Sequence, residues 1–535
     1  MLIDARELPQ DYSIAGDICV VGAGAAGITL ALELADTNLQ VCLLEGGGEN
    51  YSKPSQQIYE GDITGLPYTP LHEARLRYLG GTSNHWGGWC RPLDPLDFEK
   101  RDWVPYSGWP FDRTHLEPYY QRAAEWCQIG PSRYEPQFWQ TAQTPPLPFS
   151  GDDVRSTLFQ YSPPTRFGIA YGDRLRAASN VRVYLNASVV DIETSAAGSE
   201  VTALRIATPD GQTLRATSRY FVLAAGGIEN TRILLNANSR HATGIGNQHD
   251  LVGRFFQDHA GLNSGTMMLS DPRTSVAFYT RHTVEAGAAQ APDQRDIRGA
   301  LTFSTETLRQ HRMSNIGLLI KDTDWAHAFG IKPAVKAALI GEGDYFWRYL
   351  GAAAANFDDV GVRAYRSVVA PESKRKLAEF VSIIEPLPDP QSRVKLGSER
   401  DAFGNLRVEL NWRLSTPDKR TIWQAQQLLA MALGASGLGR MLVALDENDT
   451  TWPPLLDSGF WEHRELGHGW HHMGTTRMHD DPRQGVVDAD CRIHGLANLL
   501  VAGSSVFPTY GFSQPTLTIV ALAVRLAEHL RRLIT

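Results

Sequence analysis

The feature that most limits what this chain can fold into lies near its start. An apolar, β-prone run over residues 17–21 enters Gly22-Ala-Gly-Ala-Ala-Gly27, residues 28–34 follow at helical spacing, and a second apolar run over 40–44 ends in Glu45. Strand, glycine turn, helix, strand and closing acid, in that order, make a dinucleotide-binding βαβ unit. Gly22 permits the tight bend, Gly24 lets backbone approach a pyrophosphate, and Gly27 lets the helix pack closely on the sheet. The amides of Ala25 and Ala26 open a helix whose N-terminus attracts phosphate. Glu45 can accept hydrogen bonds from ribose hydroxyls, and its charge disfavours a 2′-phosphate, so the pattern selects FAD or NAD over NADP.

Further strands are predicted at 181–185, 189–193, 201–207 and 219–224, with Pro209-Asp-Gly211 as a turn between two of them. They read as a return to the nucleotide domain. Residues 68–109 are rich in Gly, Trp and Pro, and the whole 68–165 stretch is expected to be an active-site loop region. Beyond 250 the composition shifts, with separate strands at 380–384, 393–396 and 406–412. Within that part, 281–299 is polar, and the Ala- and aromatic-rich 325–357 reads as a packed helical insertion or a lid or partner surface. The chain closes with a strand into a turn at 499–504 and a long apolar helix from Pro515, again placing backbone amides beside a cofactor. The expected fold is therefore α/β: a discontinuous Rossmann-like domain (1–250 and 463–535) with a second, mixed α+β substrate-binding domain (251–462).

Charge excludes one class of partner. With 51 Lys+Arg against 59 Asp+Glu, a net charge of −8 and no dense basic block, nucleic acid is not an expected ligand. No apolar stretch reaches the roughly 20 residues of a membrane span. Residues 1–16 carry neither an apolar run nor twin arginines, and five scattered cysteines lack CxxC spacing. The expectation is a soluble, cytoplasmic protein with reduced thiols.

A wider set of motifs resembles the glucose-methanol-choline (GMC) oxidoreductases, nearest their bacterial pyranose-oxidase-like branch. It comprises the N-terminal glycine turn, Gly80-Gly-Thr-Ser-Asn-His-Trp86, Phe221-Val-Leu-Ala-Ala-Gly-Gly227, Gly253-Arg-Phe-Phe-Gln-Asp-His259, Ser392-Arg-Val394 and His471-His-Met-Gly-Thr-Thr-Arg-Met478. The resemblance spans nearly the whole chain. It implies an FAD-dependent enzyme that oxidises a CH–OH group of a sugar, glycoside or other alcohol, with oxygen or another electron acceptor reoxidising the flavin. Self-association into a homo-oligomer is compatible with it.

Such chemistry needs a base for the hydroxyl proton, a role that suits a neutral imidazole. Aligned through Gly474 and Thr475, the family's catalytic histidine corresponds to His471. His472 is expected to point elsewhere, as the next residue of an extended backbone does. His468, His471 and His472 together suggest a metal site, but no carboxylate or thiol motif accompanies them, and no metal is expected. The family's second polar residue, commonly His or Asn, aligns with Gln514, which can donate a hydrogen bond at altered reach. His85 falls where some members attach the flavin covalently; a histidine that merely packs beside the flavin is the alternative.

Cofactor contacts are expected from Gly22, Gly24, Ala25, Ala26, Gly27 and Glu45, from Gly80, Gly81, Thr82, Asn84, His85, Trp86 and Gly87, from Val189, Ala225 and Gly226, and from Gly503, Ser504, Gln514, Pro515 and Thr516. The Gln514 departure keeps two other activities open: an FAD-containing lyase or other non-redox relative, and a dehydrogenase subunit that needs an electron-transfer partner.

Overall fold

The computed structural model describes residues 1–285, 294–323, 377–443, 445 and 466–534. The 325–357 stretch lies outside them, as does 286–293 within 281–299.

Ser13–Val21 is buried along its C-terminal half because it sits mid-sheet between parallel neighbours, which calls for an unbroken apolar run. The sheet runs Leu2–Asp4, Val181–Leu185, Val41–Leu44, Ser13–Val21 and Thr213–Leu223, all parallel, then Val201–Ala207 and Ser188–Thr194 antiparallel, with Leu499–Val501 also parallel to Thr213–Leu223. Thr213–Leu223 begins earlier than the predicted 219–224 because its first half pairs back on Val201–Ala207 through the Pro209-Asp-Gly211 turn, with Gly211 at φ 91°. The first helix, Ala25–Glu33, leaves Val21 towards Val41–Leu44, while Thr213–Leu223 lies on the other side of Ser13–Val21. A crevice therefore opens at the carboxyl ends of these strands, where open α/β sheets bind ligands. The last helix, Thr516–Ile534, packs on the first helix and on Arg113–Trp126, and Arg122 bridges Glu33 and Glu528 across them.

The second sheet is antiparallel and nine-stranded: Gly439–Val443, Ala260–Leu269, Leu377–Ile384, Ile316–Thr323, Gln294–Phe303, Val154–Tyr161 and Trp89–Cys90, with His282–Glu285 and Leu466–His468 on side branches. Helix Thr416–Ala435 packs against it, started by a capping box in which Ser415 and Asp418 bond reciprocally and Pro417 fits the first turn. A small third sheet joins Arg393–Arg400 and Leu406–Asn411 to Gly61–Ile63.

Residues 68–165 are more than loop. They contribute Val154–Tyr161 and Trp89–Cys90 to the second sheet, and they contain helix Arg113–Trp126. Pro118 inside that helix hides it from a pattern search, although the Asp112 cap and buried Leu116, Tyr120 and Ala123 were available as signals. The strand is missed because its partner, Gln294–Phe303, is more than a hundred residues away.

Candidate active site

A cavity of about 690 Å³ lies where the carboxyl ends of the first sheet, at Val21 and Ala224, meet the second sheet at Leu319, Lys321 and Val381. It falls within the usual size range of ligand sites. Three glycines face it with nothing behind: a Cβ added at Gly24, Gly226 or Gly503 would meet no atom within 4 Å. Each precedes a helical element: Ala25–Glu33, Gly227–Asn236 and the short Ser504–Val506 turn. Pro515 and Thr516, at the start of the last helix, border the same space. Open backbone and helix N-termini converging on one crevice form a cradle for a dinucleotide diphosphate, so the residues present fit FAD.

Most of the expected cofactor residues border this cavity: Gly22, Gly24, Ala25, Ala26, Glu45, Gly81, Thr82, His85, Trp86, Gly87, Val189, Ala225, Gly226, Gly503, Ser504, Gln514, Pro515 and Thr516. Three do not. Gly27 packs against the turn, where a Cβ would come within 1.9 Å of the Gly22 carbonyl oxygen. Gly80 donates its N–H to the Ala23 carbonyl at 2.8 Å, and the Asn84 amide donates to the Leu79 carbonyl at 2.9 Å. These residues shape the wall from behind it.

Glu45 is buried, and both its oxygens accept main-chain bonds, from Ala23 at 2.9 Å and Gly47 at 2.8 Å. It braces the glycine turn, and each oxygen keeps a lone pair for a ligand hydroxyl. Burial pushes its carboxyl up from the ordinary value. Arg77, which the sequence did not single out, reaches in beside it, donating to the Gly46 carbonyl at 2.8 Å and the Ser188 hydroxyl at 2.7 Å. Arg75 and Arg232 flank buried Glu229, and Arg232 also pairs with Asp401 at 2.7 Å. Breaking any one partner would leave a buried charge uncompensated.

His471 borders the cavity at the junction of the two sheets. Asp258 shapes its approach: one carboxylate oxygen accepts the N–H groups of Gly469 at 3.1 Å and His471 at 2.9 Å, and the other accepts the Tyr68 hydroxyl at 2.5 Å. Between those two amides Trp470 is held left-handed at φ 58°, which costs a non-glycine residue about 1–3 kcal/mol. Gly469 supplies the room, since a Cβ there would sit 2.4 Å from His471 Nδ1. Burial raises the Asp258 carboxyl to about 7. The His471 ring meets His259, Nδ1 to Nδ1, at 2.8 Å, and His259 Nε2 lies 3.0 Å from the Gly511 carbonyl. Burial first, then the neighbouring histidines, holds His471 well below the ordinary imidazole value.

The three clustered histidines go to different partners. His468 stacks on Tyr68 at 4.0 Å. His472 also borders the cavity, and its ring lies near Phe256 and Tyr68, whereas the His471 ring meets His259. Gln514 is buried at the cavity wall, its Oε1 without a partner among the described residues. His85 lines the wall, stacks on Trp470 at 5.1 Å and has an Nε2 without a partner among the described residues. Burial lowers it to about 4, so the ring is neutral. Sequence reasoning missed Tyr68, Asp258 and His259, although the latter two stand inside a motif it quoted.

A protein whose two large sheets set a dinucleotide cradle and a neutral histidine on one cavity is a flavin-dependent oxidoreductase in class. Comparison with known proteins agrees: residues 17–257 match the FAD-dependent oxidoreductase family and 388–523 the GMC oxidoreductase family. The chain is 24% identical over 601 residues to the fructose dehydrogenase large subunit of Gluconobacter japonicus, covering 97% of this chain and 98% of that one. It is 26% identical to paromamine 6′-oxidase of Streptomyces fradiae, covering 96% and 90%. Pyridoxine 4-oxidase from Mesorbium loti shares the fold, with a TM-score of 0.53 and 16% identity over 96% of this chain and 99% of that one. This chain belongs to the GMC oxidoreductase family and is an FAD-dependent enzyme.

Proposed function

We propose that the enzyme oxidises a CH–OH group of a sugar, glycoside or related alcohol, with His471 as the base for the hydroxyl proton. The observation that carries this reading is the neutral, cavity-lining imidazole of His471 opposite the glycine cradle. FAD, when bound, supplies the two-electron acceptor for the carbinol hydride. The cradle residues and Glu45 hold it, Asp258 fixes the turn that carries His471, and Gln514 presents an unpartnered amide oxygen that can accept from a substrate hydroxyl. At the substrate end, Trp89 and Trp470 offer aromatic faces beside Arg298 and Lys321, a wall suited to a hydroxyl-rich ring. Fructose dehydrogenase and paromamine 6′-oxidase, both covered almost end to end, support a sugar over a simple alcohol. Placement in the pyranose-oxidase-like branch rests on the motif set.

Anaerobic addition of sugars, glycosides and simple alcohols to the purified holoenzyme tests the proposal. Bleaching of the flavin by one class supports it and names the group. Turnover of a substrate without bleaching would favour the lyase reading instead, and bleaching without peroxide in air would favour a dehydrogenase with a separate electron acceptor. Covalent attachment through His85 has its own test: flavin that stays with acid-precipitated wild-type protein but not with His85→Ala supports it, and flavin released from the wild type refutes it. A cytoplasmic location is part of the same proposal, supported by five free, buried cysteines. Among the described residues, no helix is long and apolar enough to cross a membrane.

A further inference from the structure

We infer that His259 is a positioning residue that locks His471 in the tautomer whose Nε2 lone pair is free to take the substrate proton. The inference rests on the reading of His471 as the base, and it comes from following hydrogens inward from a fixed acceptor.

The fixed point is the Gly511 carbonyl. Its loop is clamped by Glu385, whose Oε1 accepts the N–H groups of Tyr510 at 2.8 Å and Gly511 at 3.1 Å, while the other carboxylate oxygen pairs with fully buried Arg101 at 2.9 Å. A carbonyl can only accept, so the 3.0 Å contact from His259 Nε2 requires the proton to sit on that nitrogen. Burial lowers His259 to about 4, so its ring carries one proton only and Nδ1 is a bare acceptor. The 2.8 Å contact between the two Nδ1 atoms then requires His471 to be the donor, with its proton on Nδ1. His471 is neutral for the same reason of burial, which leaves its Nε2 unprotonated.

In the reaction, the substrate O–H bond breaks and an N–H bond forms at His471 Nε2; the carbinol hydrogen with its electron pair is what FAD, when bound, would accept. His471 becomes an imidazolium whose second N–H already has an acceptor in His259 Nδ1, so the new charge forms against a prepared hydrogen bond. The opposite tautomer would present an N–H to the substrate hydroxyl, where no base would be available.

The test combines spectroscopy with kinetics on the holoenzyme. In ¹⁵N-histidine-labelled wild type, the His471 resonances, assigned by their loss in His471→Gln, are expected to show a protonated Nδ1 and a bare Nε2. His259→Leu removes the acceptor and is expected to slow anaerobic flavin reduction by about 10- to 100-fold, the usual scale for a partner that orients a functional histidine, with flavin content unchanged. His259→Asn, whose side-chain oxygen can stand near the lost Nδ1, is expected to recover most of that rate. A wild-type His471 protonated at Nε2 overturns the inference whether or not the variants fold, as does a His259→Leu enzyme that reduces its flavin at the wild-type rate. The reading of His471 as base fails separately, and only if His471→Ala keeps the wild-type reductive rate.

Discussion

The two sides of the cavity are built on opposite plans. On the nucleotide side, one continuous segment, 13–45, supplies strand, turn, helix, strand and acid, and the site is mostly backbone: open glycines and helix starts. On the substrate side, the site is mostly side chains, brought from 68–69, 258–259, 468–472 and 511–514 onto the seam between two sheets. A backbone cradle tolerates varied side chains but not added bulk, whereas a side-chain constellation depends on the identity of each member. Changes on the two sides should therefore fail differently.

The largest effect is expected from Gly24→Val. A Cβ there meets no protein atom within 4 Å, so the added side chain should intrude on the cradle and not on the fold, excluding flavin while folding survives. The purified variant should be colourless with unchanged far-UV circular dichroism; stoichiometric flavin in it would break the contrast. His471→Ala should keep its flavin yet lose about two to four orders of magnitude in anaerobic reduction, the scale of general-base loss, as read by stopped-flow absorbance. Asp258→Ala frees the Gly469 and His471 amides and the strained Trp470 between them. A fall of about 10- to 100-fold in the same rate, with flavin retained, is the expected result. Gln514→Ala removes one hydrogen bond to the substrate oxygen, worth about 1 kcal/mol or some fivefold in rate; an unchanged rate would strike Gln514 from the site.

The smallest expected signal is a displacement along the pH axis. His471 in the fold lies below the ordinary value of 6.5, so its neutral, proton-accepting form persists as pH falls through 6.5. The reductive rate should hold there and decline only at more acid pH, through the depressed value. A midpoint at or above 6.5 would mean that burial does not govern this imidazole.

The same contrast explains what the sequence made legible. The glycine turn, Glu45 and the strand at 181–185 were readable because parallel, buried strands and tight turns impose their own local composition, and antiparallel Val201–Ala207 was readable because the Pro209-Asp-Gly211 turn returns the chain to its partner within a few residues. His471 was nominated only through its neighbours Gly474 and Thr475, and it lies at the cavity. Val154–Tyr161 was not readable, since its antiparallel partner is distant along the chain. Nor was His259: its role lies in a 2.8 Å contact with a ring 212 positions away, and nothing local to Gln257-Asp-His259 encodes that. Gln514, singled out by its alignment just before the last helix, lies at the cavity wall.

The C-terminal part of the chain is hydrogen-bonded into both sheets: Leu466–His468 pairs with Ala260–Leu269 in the second, and Leu499–Val501 pairs with Thr213–Leu223 in the first. His471 lies on the thread that sews them together. Enzymes that clamp shut on a substrate need two bodies free to swing about a hinge, and here such a swing would have to tear out one of those seams. Turnover is therefore expected to be a matter of traffic through a standing framework, with small molecules and individual side chains moving while these two pairings hold.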